Sequence, residues 1–158
     1  MALKSIEAGI KEAKKSVRLN ARFSNSHRLL GELYGRIIDY KGGFSGAIYG
    51  PRAKKELLKA LKLNPQNPRA YIGLGIWKLK APEFFGGNIE KAIKNLKRAI
   101  QISPNIYEAY VWLGIAYKKK GKVNQAKVFL EKALAISPNN DWGKSELSKI
   151  SSTEENKV

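Results

Sequence analysis

The stretch "YEAYVWLGIAYKKKGKVNQAKVFLEKALAISPNN", residues 107–140, decides how the chain is read. Apolar residues recur at three- and four-residue spacing before Gly121 and again after it, the pattern of two amphipathic helices joined by a turn. Ala126 and Ala133 lie seven residues apart, on one helix face where a neighbouring helix approaches closely. Gly114, after Leu113, stands inside the first helix, where glycine costs about 1 kcal/mol relative to alanine. A tight helix crossing offsets that cost. Pro138 stops the second helix.

The same marks recur upstream. "KALKLNPQN" (59–67) and "RAIQISPNI" (98–106) match "KALAISPNN" (132–140), with stops at Pro65 and Pro104. Ala53 and Ala60 repeat the seven-residue pair, as do Ala92 and Ala99, and Leu30-Gly31 and Leu74-Gly75 repeat Leu113-Gly114. The repeating unit is therefore a helix, a turn, a second helix and a proline-ended turn. Units run over 24–67, 68–106 and 107–140, with lengths of 44, 39 and 34 residues. Residues 2–20 read as a second helix without its first, and 141–150 as a closing helix with Asp141 at its N-cap. Residues 151–158 read as a frayed tail.

This organisation resembles the tetratricopeptide repeat family along nearly the whole chain. The last unit carries the signature most fully, in Tyr110, Leu113, Gly114, Tyr117, Gly121, Ala126, Leu130, Ala133 and Pro138. The middle unit has Lys78 where a tyrosine is expected, with Trp77 beside it to fill the space, and the first has His27 where a large apolar residue is expected. The resemblance implies an all-α, right-handed α-solenoid of antiparallel helix pairs. It would hold about three and a half repeats and a C-terminal capping helix within residues 1–150.

Two units exceed 34 residues, and both excesses fall between the paired helices. They are "DYKGGFSGAIYG" (39–50) and "KAPEFFGGN" (80–88), read as enlarged turns, with Pro51 opening the following helix at its first position. Residues 41–55, "KGGFSGAIYGPRAKK", look at first like a phosphate-binding loop. Such a loop needs Gly-Lys-Ser or Gly-Lys-Thr after a strand; no glycine of this stretch is followed by Lys-Ser or Lys-Thr, and no strand is evident. Glycine-rich backbone flanked by Arg52, Lys54 and Lys55 still offers N–H groups to an anion. The competing reading has Phe44, Ile48, Tyr49, Phe84 and Phe85 packing the loops onto the helices.

Composition narrows the chemistry. The chain has 158 residues, no cysteine and one histidine, so thiolate catalysis and disulfides are excluded and a histidine metal cluster is not expected. No nucleophile or carboxylate stands at catalytic spacing from His27, which reads with Tyr34, Trp77 and Tyr117 as core. No cofactor, no metal and no enzymatic activity are expected. No apolar run approaches a membrane span, and the first residues lack a signal peptide's apolar core. The expected setting is cytoplasmic.

In the resembled family the first helix of each unit lines a concave binding surface. By position this implies a groove of Asn25, Arg28 and Glu32 in the first unit and Arg69, Ile72, Ile76 and Leu79 in the second. The third unit adds Glu108, Val111, Trp112, Ile115 and Lys119, and the closing helix adds Trp142. Leu29 and Gly73 share these faces. An apolar centre suits a protein or peptide segment. Some family members clamp a chaperone tail's carboxylate with lysine, asparagine and arginine. The matching positions are Arg28, Glu32, Gly73, Glu108 and Trp112, of which two are acidic, so no such clamp is expected.

The net charge is +17, and most of the excess falls on the second helices, which the resemblance assigns to the convex face. Lys54, Lys55, Lys59, Lys62, Lys91, Lys94, Lys97 and Arg98 carry it. The alternative function is therefore salt-dependent binding of nucleic acid or anionic membrane there, against a solvated surface serving solubility. Leu3, Ile6 and Ile10 either dock the first helix on its neighbour or leave an apolar edge for a second copy. The expected primary function is a non-enzymatic protein-binding scaffold.

Overall fold

Residues 2–42 and 44–155 are described by a computed structural model, and all their regular elements are helical. In chain order these are α1 (Ala2–Leu19), α2 (Ser24–Lys41), α3 (Ser45–Leu63), α4 (Pro68–Lys80) and α5 (Ile89–Ile102). They are followed by α6 (Tyr107–Lys119), α7 (Val123–Ile136) and α8 (Asp141–Glu155), with a 3-10 turn at Glu83–Phe85. Each helix packs on the next, and α2, α4, α6 and α8 also touch in series. That second row makes the chain a solenoid with an inner layer of α2, α4, α6 and α8.

The repeated small residues set the distance between paired helices. Ala53, Ala60, Ala92, Ala99, Ala126 and Ala133 are buried. A Cβ on Gly31, Gly75 or Gly114 would lie 2.8, 2.8 or 2.6 Å from the Cγ of Leu57, Leu96 or Leu130. The glycines therefore admit a leucine of the second helix against the backbone of the first. Leu30, Leu74 and Leu113 fill the adjacent interior.

His27 is buried, and both ring nitrogens face oxygen: Nδ1 is 2.6 Å from Glu56 Oε2 and Nε2 is 3.0 Å from the Ala21 carbonyl. It replaces apolar packing with a polar tie between α2 and α3. Tyr34 and Tyr117 are buried, whereas Trp77 is half-buried. Leu3, Ile6, Ile10 and Val17 of α1 pack with Leu33 on the first-unit core. The apolar edge offered for self-association is thus occupied by α2.

Three expectations change. The first excess is not a turn over 39–50: α2 continues to Lys41 and α3 begins at Ser45, so Pro51 lies inside α3 rather than at its start. Proline there forfeits one helical hydrogen bond. Tertiary contacts hold the extra turn, with Trp77 Nε1 donating to the Gly50 carbonyl at 2.9 Å and Tyr49 against Tyr34 at 5.7 Å. The N-cap of α8 is Asn140, whose Oδ1 accepts from the Gly143 N–H at 3.2 Å, and Asp141 is already helical. The helix also runs past 150 to Glu155, because no proline or glycine follows Gly143 to stop it. Residues 156–158 of the expected tail lie outside the described residues.

Candidate protein-interaction face

The inner layer gathers the residues assigned to the groove. Asn25, Arg28 and Glu32 lie on α2, Arg69, Ile72, Ile76 and Leu79 on α4, and Glu108, Val111, Trp112, Ile115 and Lys119 on α6, with Trp142 on α8. Ile72, Leu79 and Val111 are buried, and so, contrary to expectation, contribute to the core rather than to an open face. Their phase on the helix points into the seam where neighbouring inner helices pack, and the solenoid closes over them. Ile76, Trp112, Ile115 and Trp142 remain half-buried, and Leu29 is exposed.

Polar residues tie the inner helices to one another. Arg69 Nη2 donates to Glu108 Oε1 at 3.1 Å, and Lys119 Nζ donates to the Leu79 carbonyl at 2.9 Å. Both join α4 to α6. Lys80 Nζ meets both Asp39 oxygens at 2.8 Å, joining α4 to α2. Buried Asn67 accepts from the Ala70 N–H at 3.2 Å, capping α4. Its Nδ2 donates to Ser24 Oγ at 3.1 Å and Asn25 Oδ1 at 3.0 Å. These ties through Asn67, Asp39 and Lys80 escaped sequence reasoning, although an asparagine immediately before Pro68 is itself a helix-start signal.

The resulting face is an apolar ledge between neutralised charges. Trp112 and Trp142 meet edge to face with centroids 5.2 Å apart, and Lys80 Nζ sits 5.5 Å from the Trp112 ring centroid. Arg28, the single cation among the clamp positions, is paired with Glu32 at 2.6 Å. A half-buried ledge of this kind accepts an aliphatic or aromatic side chain without stranding a charge.

The convex lysines form two stripes. Lys54, Lys55, Lys59 and Lys62 lie on α3, and Lys91, Lys94, Lys97 and Arg98 lie on α5. Helices α3 and α5 make no close backbone approach among the described residues. The stripes draw together near Lys78, whose ammonium donates to the Gly86 carbonyl at 2.7 Å and lies 5.1 Å from the Trp77 ring centroid. Burial pushes the Lys78 pKa down, and the charges of Lys54 and Lys91 push it further. Lys54 and Lys97 rest over Trp77 and Tyr117, at 5.1 and 5.9 Å.

Stacked antiparallel helix pairs with an inner and an outer layer define the tetratricopeptide class of solenoid fold. Solved structures share the fold. TTC0263, a thermophilic TPR protein from Thermus thermophilus, superposes with a TM-score of 0.79 at 20% identity, over 94% of this chain and 74% of that one. PilF of Pseudomonas aeruginosa gives a TM-score of 0.72 at 21% identity, over 97% and 63%. The first TPR of Spaghetti (RPAP3), bound to the HSP90 peptide SRMEEVD, gives 0.66 at 20% identity, over 86% and 96%. No curated protein matches the sequence. Residues 2–153 match the family model described as Regulator of microtubule dynamics protein 1-3, and the chain belongs to that family.

Proposed function

We propose that the chain is a non-enzymatic interaction module that receives a protein or peptide segment on its inner face, with an apolar side chain seated on Ile76, Trp112, Ile115 and Trp142. The observation that carries this reading is the half-buried Trp112–Trp142 pair beside Ile76 and Ile115, in a layer whose nearby charges are already paired. Tryptophan in such a setting is among the residues that dominate binding energies. A family named for regulation of microtubule dynamics is consistent with a protein partner. The RPAP3 domain shows that this fold can hold a peptide. Here the segment would be gripped by its side chains rather than by a terminal carboxylate, since Arg28 is engaged by Glu32.

The test is selection of a phage-displayed random peptide library on the folded protein, with affinities then measured by fluorescence polarisation. Selected peptides are expected to carry an aromatic or branched aliphatic anchor. They should lose at least about thirtyfold in affinity for the Ile76→Glu, Ile115→Glu variant. Both positions are half-buried, and circular dichroism checks that the variant keeps its helices. Peptides that bind the folded variant as tightly as the wild type would remove the inner face as the binding site.

A further inference from the structure

Both over-long units place phenylalanine at the same edge of the solenoid. Phe44, between α2 and α3, is 92% exposed, and Phe84 and Phe85, between α4 and α5, are 83% and 52% exposed. The sequence reading that packs these rings onto the helices does not hold for Phe44 or Phe84. Single exposed apolar residues are ordinary, but a group at one edge marks an interaction site.

Cross-links place the turns side by side. Lys80 at the end of α4 holds Asp39 near the end of α2, Lys119 at the end of α6 holds the Leu79 carbonyl, and Lys120 pairs with Glu90 at the start of α5. Glu7 of α1 reaches Lys41 at 2.8 Å, so the first turns of α1 border the same edge. Tight turns keep the rings outward. Gly42 and Gly86 adopt φ of +59° and +92° on either side of the aromatic positions, values glycine takes without strain. Phe84 and Phe85 contact each other at 4.6 Å.

The third turn, which has no excess residues, replaces phenylalanine with "KKKGK" (118–122). The three turns (39–45, 78–88 and 118–122) hold seven lysines against two acidic residues, Asp39 and Glu83, and Lys41, Lys80 and Lys120 are paired with Glu7, Asp39 and Glu90. The edge therefore combines protruding aromatic rings with excess positive charge.

We propose that this edge docks on the surface of an anionic lipid bilayer. Phe44, Phe84 and Phe85 enter the boundary between headgroups and acyl chains, and Lys118 and Lys122 meet the headgroups. A fluid interface accepts rings that stand up from separate narrow turns, whereas a protein surface would need a matching pocket for each. No helix among the described residues is long and apolar enough to cross a membrane, and the proposed contact is with the bilayer surface. The net charge of +17 draws it there over longer range. Docking by the edge leaves the inner face open, so this inference stands independently of the peptide-binding reading.

The experiment is co-sedimentation of the full chain with vesicles of phosphatidylcholine alone and of phosphatidylcholine with one third phosphatidylserine. The variants are Phe44→Ser, Phe84→Ser, Phe85→Ser combined, and Lys118→Glu with Lys122→Glu. The wild type is expected on the serine-containing vesicles, with partitioning that weakens as salt rises. The triple phenylalanine variant keeps every charge and should partition about tenfold less or worse. The lysine variant should also bind less. Unchanged melting of the triple variant, followed by circular dichroism, separates lost docking from lost folding. Failure of the wild type to sediment with anionic vesicles overturns the proposal. So does a triple variant that sediments as well as the wild type, because diffuse charge alone would then account for binding.

Discussion

Alanine at Gly114 and alanine at Gly35 should move stability in opposite directions, although both replace a glycine inside a helix. At Gly114 the new Cβ lies 2.6 Å from Leu130 Cγ, 2.8 Å from its Cδ2 and 3.2 Å from the Ala126 carbonyl oxygen. Ordinary contact between carbons begins at about 3.5 Å, so Leu130 must retreat by about 1 Å. It is 1% exposed and flanked by the fully buried Ala126 and Ala133, which leaves it nowhere to go. Overpacking of this kind costs about 1–3 kcal/mol, while exchanging glycine for alanine in a helix returns about 0.8–1.0 kcal/mol. The net is a loss of about 1 kcal/mol, or a melting point lower by about 2–4 °C for a chain of this size. At Gly35 nothing lies within 4 Å of the new Cβ. Only the propensity term remains there, and the melting point should rise by a similar amount. Thermal and urea denaturation followed by circular dichroism reads both. If Gly114→Ala melts at or above the wild type, the close crossing of α6 and α7 is not what this glycine provides.

Asn67→Ala removes the α4 cap and the bonds that tie it to Ser24 and Asn25 of α2, and should cost about 2 kcal/mol; the same melts check it. The complementary check is Asn88→Ala, which removes only an exposed cap on α5 and should cost about 1 kcal/mol or less. Gly87→Ala would put a Cβ 1.8 Å from the Ala81 carbonyl oxygen. It should force residues 81–88 into a new conformation and expose them to limited proteolysis, while α6 and α7 keep their protection against hydrogen exchange.

The repeat was legible because its signals are local. Prolines stop helices wherever they stand, and alanines and glycines at fixed spacing mark where a second helix can approach. Those marks placed the helix pairs, and the resemblance they carry assigned the first helix of each pair to the inner layer. The apolar composition of the groove was legible too, but its accessibility was not. Ile72 and Val111 read the same way as Ile76 and Ile115 in sequence. Which of them face the seam between inner helices depends on how closely α4 approaches α6.

The excess residues show the same division. Composition marked 39–50 as breakable, with its glycines and Pro51, and by local propensity a turn was the sound reading. The helical start of α3 is held by Trp77 on the Gly50 carbonyl and by Tyr49 on Tyr34, contacts across 27 and 15 residues of chain. Charge pairing was likewise hidden. Arg69 and Glu108 are 39 residues apart, and Asp39 and Lys80 are 41 apart. By itself the sequence determined the repeat, its phase, the positive charge and the two over-long units. Only the tertiary structure decided which apolar residues stay open, which charges are neutralised, and that the phenylalanines of both over-long units share one edge, because each depends on packing between segments far apart in the chain.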